Sequence, residues 1–157
     1  MNTPNHTGPH RFDMPAWISR APFEQLLGIE IVSAEAGRSV LRMPFSKPLA
    51  QGAGLMHGGA LVSLADTAVV MAIKSIVAPG THFVTTSLES RFIHPVMKGI
   101  VTASAAVGER HKDRLTGTCD ILDDAGRVVM RFTSVFKIAK TGVIRYIRDD
   151  APVEDRN

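Results

Sequence analysis

The chain has 157 residues, about one domain's worth, and a domain of that size buries about 70% of its unfolded surface. Apolar residues make up 45% and charged residues 21%, ordinary globular usage that excludes a disordered tail or a collagen-like repeat. Eighteen Lys plus Arg against fifteen Asp plus Glu leave a net charge of +3. No block of like charges accompanies that excess, so nucleic acid is not an expected partner. Cys119, the single cysteine, cannot close an internal disulfide, offers no thiolate metal cluster and fits a reducing compartment.

Residues 1–21 read as a flexible leader; Met1 to Arg11 is polar and lacks the apolar stretch of a secretory signal. The expected location is the cytoplasm. Pro22 to Gly28 reads as a short helix, with Pro in the first turn and Gly as the stop. Ile29 and Ile31 alternate with Glu30 as a strand that Gly37 ends, and Val40 to Phe45 gives a second strand. A glycine-rich loop, Ala50 to Gly59, leads into the longest helical candidate. Ala60 to Val77 contains neither Pro nor Gly, and Pro79-Gly80 stop it. Eighteen such residues make a rod of about 27 Å. It is apolar around nearly its whole circumference, so it lies in protein or in lipid. Asp66 near its middle and Lys74 beyond argue for the protein core, because a carboxylate in mid-bilayer costs several kcal/mol.

The remainder reads as β: Thr81 to Ile93, Val101 to Val107, Arg114 to Leu122 and Val128 to Ile138. In the last strand Val128, Met130, Phe132, Ser134, Phe136 and Ile138 share one face. Asp124-Ala125-Gly126 marks one hairpin turn, and Pro95 with Lys98-Gly99 marks an earlier one. The expected fold is α+β: an antiparallel meander wrapped around one long helix. Its open edges invite pairing with a second copy. Residues 22–139 form the domain and 140–157 a charged tail.

Asp66 is the only acid between Glu35 and Glu89, and it stands in the most apolar helix. Either a neighbouring hydroxyl simply satisfies it, or it is a carboxylate held in a low-dielectric site as nucleophile or general base. His57-Gly58-Gly59 sits where the loop enters the helix. There, unpaired N–H groups at the positive end of the dipole can hold a developing oxyanion, although a bare Gly-Gly is also just a tight loop. Gly58 and Asp66 lie about 12 Å apart along one helix. Both groups would have to come within about 3 Å of one carbonyl. A single helix cannot supply both, so if both are catalytic the site takes Gly58 from one chain and Asp66 from another, in a two-fold dimer. His57, His82, His94 and His111 have no metal-ligand spacing, and no metal or cofactor is expected.

The stretch Gln51-Gly52-Ala53-Gly54-Leu55-Met56-His57-Gly58-Gly59 through Asp66 resembles the signature of hotdog-fold acyl-CoA thioesterases, in the phenylacetate-pathway, PaaI-like group. Thr85 to Val96, with its Phe92-Ile93-His94-Pro95, is similar to that family's strand ending in Phe-x-x-Pro, and Asp124 to Val129 to its last hairpin. The resemblance implies a hotdog fold of five to six strands around the helix, in residues 22–139. It implies hydrolysis of an aryl-acetyl or medium-chain acyl-CoA, which enters as substrate. Gly58 N–H would polarise the thioester carbonyl, Asp66 of the partner chain would attack it or activate water, and His57 would support the loop. Gln51, Gly59 and Thr85 fall at substrate-binding positions. Val70 departs from members with a hydroxyl one turn after the acid, so that role would be absent here or pass to Thr67 or Thr85. The CoA phosphates need a basic surface, for which Arg110, His111, Lys112 and Arg114 are candidates beside the reading of a solvated charged turn. The expected assembly is a homodimer, with dimers pairing into a homotetramer, without nucleic acid or membrane. Set against this are a non-catalytic acyl-CoA sensing module on the same fold, a hotdog hydratase, and a membrane protein anchored by residues 59–78.

Overall fold

A computed structural model describes residues 8–10 and 12–139. The charged tail at 140–157 lies outside the described residues. Two helices and six strands follow in chain order: α1 (Pro22–Leu26), β1 (Glu30–Glu35), β2 (Arg38–Pro44), α2 (Gly58–Lys74), β3 (Phe83–Phe92), β4 (Ile100–His111), β5 (Arg114–Leu122) and β6 (Val128–Ile138). Every paired strand is antiparallel, in the order β1-β2-β4-β5-β6-β3.

The sheet curls around α2 because period-2 patterning gives each central strand one buried face. Ser39, Leu41 and Met43 point inward from β2, and Val101, Ala103 and Ala105 from β4. On β6 the buried face carries Met130, Phe132, Ser134 and Phe136, the set the alternation predicts. Small residues let the helix approach. Gly117 on β5 lies under Val69, and a Cβ built there would drive into Val69 Cγ1. Ser39 Oγ donates to Ala68 O at 2.6 Å, which satisfies a hydroxyl the core would otherwise strand.

Two expectations need correction. Strands β3 and β4 do not form a hairpin at Pro95 and Lys98-Gly99. Strand β3 pairs with β6 at the far edge, while β4 pairs with β2 near the centre. The intervening chain passes the start of α2 instead, where Val96 O accepts from Met56 N–H at 2.9 Å and Gly99 O from Phe45 N–H at 2.8 Å. The physical reason is that α2 carries the chain across the sheet, so the next strand descends on the opposite edge. Nor does the flexibility expected across residues 1–21 extend to Trp17. Its indole N–H donates to Lys74 O at 3.0 Å, and Lys74 Nζ lies 4.9 Å from the ring centre.

The long helix is displaced from its expected span. It begins at Gly58 because His57 caps it, and it ends at Lys74. Just beyond, Ser75 Oγ donates to Ala72 O at 2.6 Å and accepts from Gly37 N–H at 2.9 Å, drawing the last turn off toward the β1–β2 hairpin. No helix among the described residues is long and apolar enough to cross a membrane. The side of α2 that the sheet leaves uncovered carries Val62, Ser63, Asp66 and Val70.

Candidate active site

Asp66 sits at mid-helix on that uncovered side, half-buried. Thr85 on β3 donates its hydroxyl to the carboxylate, at 3.1 Å to Oδ1 and 3.4 Å to Oδ2. Burial pushes the Asp66 carboxyl above the usual range, and the Thr85 hydrogen bond opposes that shift by favouring the charged form. The strand is irregular at this point: its register slips between Thr85 and Ser87. Such a bulge re-aims side chains, and here Thr85 turns toward the helix while Thr86 Oγ1 donates to Val135 O at 3.0 Å.

The entry to α2 is built from His57 and two glycines. His57 is the N-cap, and its Nδ1 accepts from Gly59 N–H at 2.8 Å. That bond makes the imidazole the acceptor at the helix start. It also commits Gly59 N–H, leaving Gly58 N–H as the helix-start donor without an acceptor among the described residues. Gly58 is close-packed: a Cβ there would stand 3.1 Å from the Phe92 ring. Gln51 is turned onto its own loop, its carboxamide oxygen accepting from Ala53 N–H and its backbone bonding Leu55 and Gly54.

The remaining expected positions fall apart from this centre. Arg110, Lys112 and Arg114 occupy the exposed β4–β5 hairpin, where Arg110 Nε donates to Lys112 O at 3.0 Å. The register runs from Arg114 through Lys137 to Val84, next to Thr85, so the hairpin belongs to the Asp66 end of the sheet. Cys119 is no nucleophile: burial pushes its thiol up to about 12, with the Asp120 charge adding to the shift.

A cleft opens against the Asp66 carboxylate, walled by Phe23, Glu24, Val62, Val70 and Leu88. Sequence reasoning named Asp66 but missed those walls. Val62, Asp66 and Val70 were legible as one stripe at four-residue spacing. Phe23 and Leu88 carried no such signal, because they come from other elements. Asp123 was also missed. Its carboxylate accepts from Ala125 N–H at 3.0 Å and Arg127 N–H at 2.9 Å, and so shapes the β5–β6 hairpin.

A helix wrapped by a six-stranded antiparallel sheet, with a hydroxyl-held carboxylate at mid-helix and a free amide at its start, defines the hotdog class. Within that class the chain belongs to the thioesterase superfamily, whose family model matches residues 53–130. The acyl-coenzyme A thioesterase PaaI of Escherichia coli K12 is 38% identical over 96 residues, 60% of this chain and 65% of that protein. The match thus spans just under two thirds of that relative's length. ComA2 of Bacillus subtilis is 30% identical over 106 residues, 67% of this chain and 84% of its own. Among solved structures, the E. coli PaaI protein from the phenylacetic acid degradation operon superposes with a TM-score of 0.71 at 28% identity, covering 76% of this chain and 86% of that one.

Proposed function

We propose that this protein is an acyl-CoA thioesterase that releases a free acid and CoA from an aryl-acetyl or medium-chain acyl thioester. The observation that carries the reading is the Asp66 carboxylate, half-buried at mid-helix, hydrogen-bonded by Thr85 and facing an open cleft. Similarity to PaaI supports the substrate class.

Along α2, Gly58 and Asp66 stand about 12 Å apart, so one chain cannot present both to the same carbonyl. The working unit is therefore a homodimer in which Gly58 of one copy faces Asp66 of the other. The uncovered side of α2 and the unpaired edge of β3 offer surface for that pairing. Gly58 N–H stabilises charge developing on the thioester oxygen. The Asp66 carboxylate attacks the carbonyl carbon or takes a proton from an attacking water. The carbon–sulfur bond then breaks; where Asp66 has attacked, water next cleaves the acyl–aspartyl anhydride and restores the carboxylate, and on either route water's hydroxyl ends on the acid and its proton on the departing thiolate. Thr85 positions the carboxylate, His57 holds the loop so that Gly58 N–H stays free, and Gln51 and Gly59 shape the entry. Arg110, Lys112 and Arg114 supply positive charge for the CoA phosphates, and dimers pair into a tetramer.

The test is CoA release from a panel of acyl- and aryl-CoA thioesters, with Asp66→Asn beside the wild type. Wild type should turn over at least one thioester. The variant, folded and assembled as before, should lose at least about a hundredfold in kcat. Full activity in Asp66→Asn would overturn the mechanism, and a wild type that binds CoA esters without cleaving them would mark a sensing module.

A further inference from the structure

The cleft at Asp66 is lined from three elements, α2, β3 and α1. Strand β3 runs antiparallel to α2, since Thr85 meets Asp66 while Phe92 meets Gly58. Leu88, between them, therefore lines the cleft on the Val62 side. From α1, Phe23 and Glu24 line it as well, and Glu24 also acts on the charge of Lys74 in the last turn of α2, which sets α1 toward the Val70 side. Phe23 is 52% exposed, a large apolar side chain facing a cleft that no described residue fills.

A five-residue helix has little stability of its own, yet α1 is tied on every side. Pro22 starts it, and Glu24 Oε2 accepts from Ala21 N–H at 2.8 Å. An Arg20 guanidinium nitrogen donates to Ile29 O at 3.3 Å, and Trp17 anchors the preceding segment to Lys74. Phe23 is thus a fixed wall. Charge distinguishes the occupants of the α1 side of the cleft. Glu24 and Asp66 line it with the Lys74 charge acting on Glu24, so it offers no surplus of positive charge to the polyanionic end of CoA, while Phe23, Val62, Val70 and Leu88 suit an uncharged apolar acyl group.

We propose that the side of the cleft lined by α1 receives the acyl group and that Phe23 gauges its length. The inference rests on the acyl-CoA reading above, so its test is a binding measurement that needs no turnover. Hydrolysis-resistant S-alkyl-CoA thioethers, from S-butyl to S-dodecyl, are titrated calorimetrically into wild type, Phe23→Ala, Phe23→Trp and Leu26→Ala. Leu26 lies on the same helix, 78% exposed and away from the cleft. Phe23→Ala should raise affinity for long over short chains by at least about tenfold. Phe23→Trp should shift the preference the other way, and Leu26→Ala should match wild type. An unchanged profile in Phe23→Ala overturns the proposal. So does a joint shift in Phe23→Ala and Leu26→Ala, or loss of the oligomer in both, which would assign α1 to the contact with a second copy. A Phe23-dependent profile in a protein that cleaves no thioester would remove the hydrolase reading and leave the gauge. Failure to bind any of the thioethers would remove both.

Discussion

Burial raises the Asp66 pKa and the Thr85 hydroxyl partly restores it, and the two effects have separable consequences. If Asp66 acts as proposed, the reaction needs its carboxylate, so kcat/KM should fall as pH drops through the folded pKa, above the ordinary aspartate value of about 3.9. Thr85→Val removes the bond that favours ionisation and should move that acid limb to still higher pH. A limb that stays in place would deny Thr85 this role. Stability runs in the opposite sense. A group whose folded pKa is raised contributes stability that is complete below the unfolded pKa and is lost as pH rises through the folded one. Asp66→Asn removes that loss while keeping an acceptor for Thr85. Its melting temperature should exceed that of wild type at neutral pH, and the gap should close below about pH 4. Thermal unfolding across a pH series reads the difference directly. Asp66 was legible in the sequence because an acid in an apolar helix violates the local pattern. Phe23 was not, because half-exposed aromatics are common.

At the scale of elements, the contact between α2 and the sheet holds Asp66 against Thr85. That contact is closest at Gly117, where Val69 occupies the space of a Cβ. Gly117→Ala must either shift the helix or force Val69 from its rotamer, and it should cost about 1–3 kcal/mol. A lower urea midpoint with an unchanged slope would register the loss. No change in the midpoint would mean that the helix rides more loosely on the sheet than this packing implies. The sequence marked α2 by length and by Pro79-Gly80, but both ends moved. His57 drew two glycines into the first turn, and Ser75 took the last carbonyls for a contact with Gly37 that lies far off in the chain. Caps made by distant or unusual partners leave no local pattern to read.

For the whole molecule the question is whether two chains share a site, as proposed, and complementation answers it. Asp66→Asn removes the carboxylate. Gly58→Pro removes the N–H at a helix start that suits proline, since His57 already has φ −66° and ψ 131°. The Phe92 ring must yield slightly to the new side chain. Each variant alone should be nearly inactive. Mixed as unfolded chains and refolded together, half of the dimers are hybrids with one intact site in two, so about a quarter of the wild-type rate should return. Refolded mixtures no more active than either parent would place both groups in one chain or rule one of them out.

The sequence by itself determined the α+β class, the strands from Arg114 onward to the residue, the apolar helix and its misplaced acid. Those features are local, resting on alternation, helix length and a charge where charge is costly. Tertiary structure alone decided that β3 sits beside β6, that Thr85 reaches Asp66, and that α1 lines the cleft. The reason is physical. Hydrogen-bonding edges are interchangeable as far as sequence spacing goes, and the partner of an edge is chosen by where the intervening helix sets the chain down. Side chains brought together that way share a site without sharing a pattern.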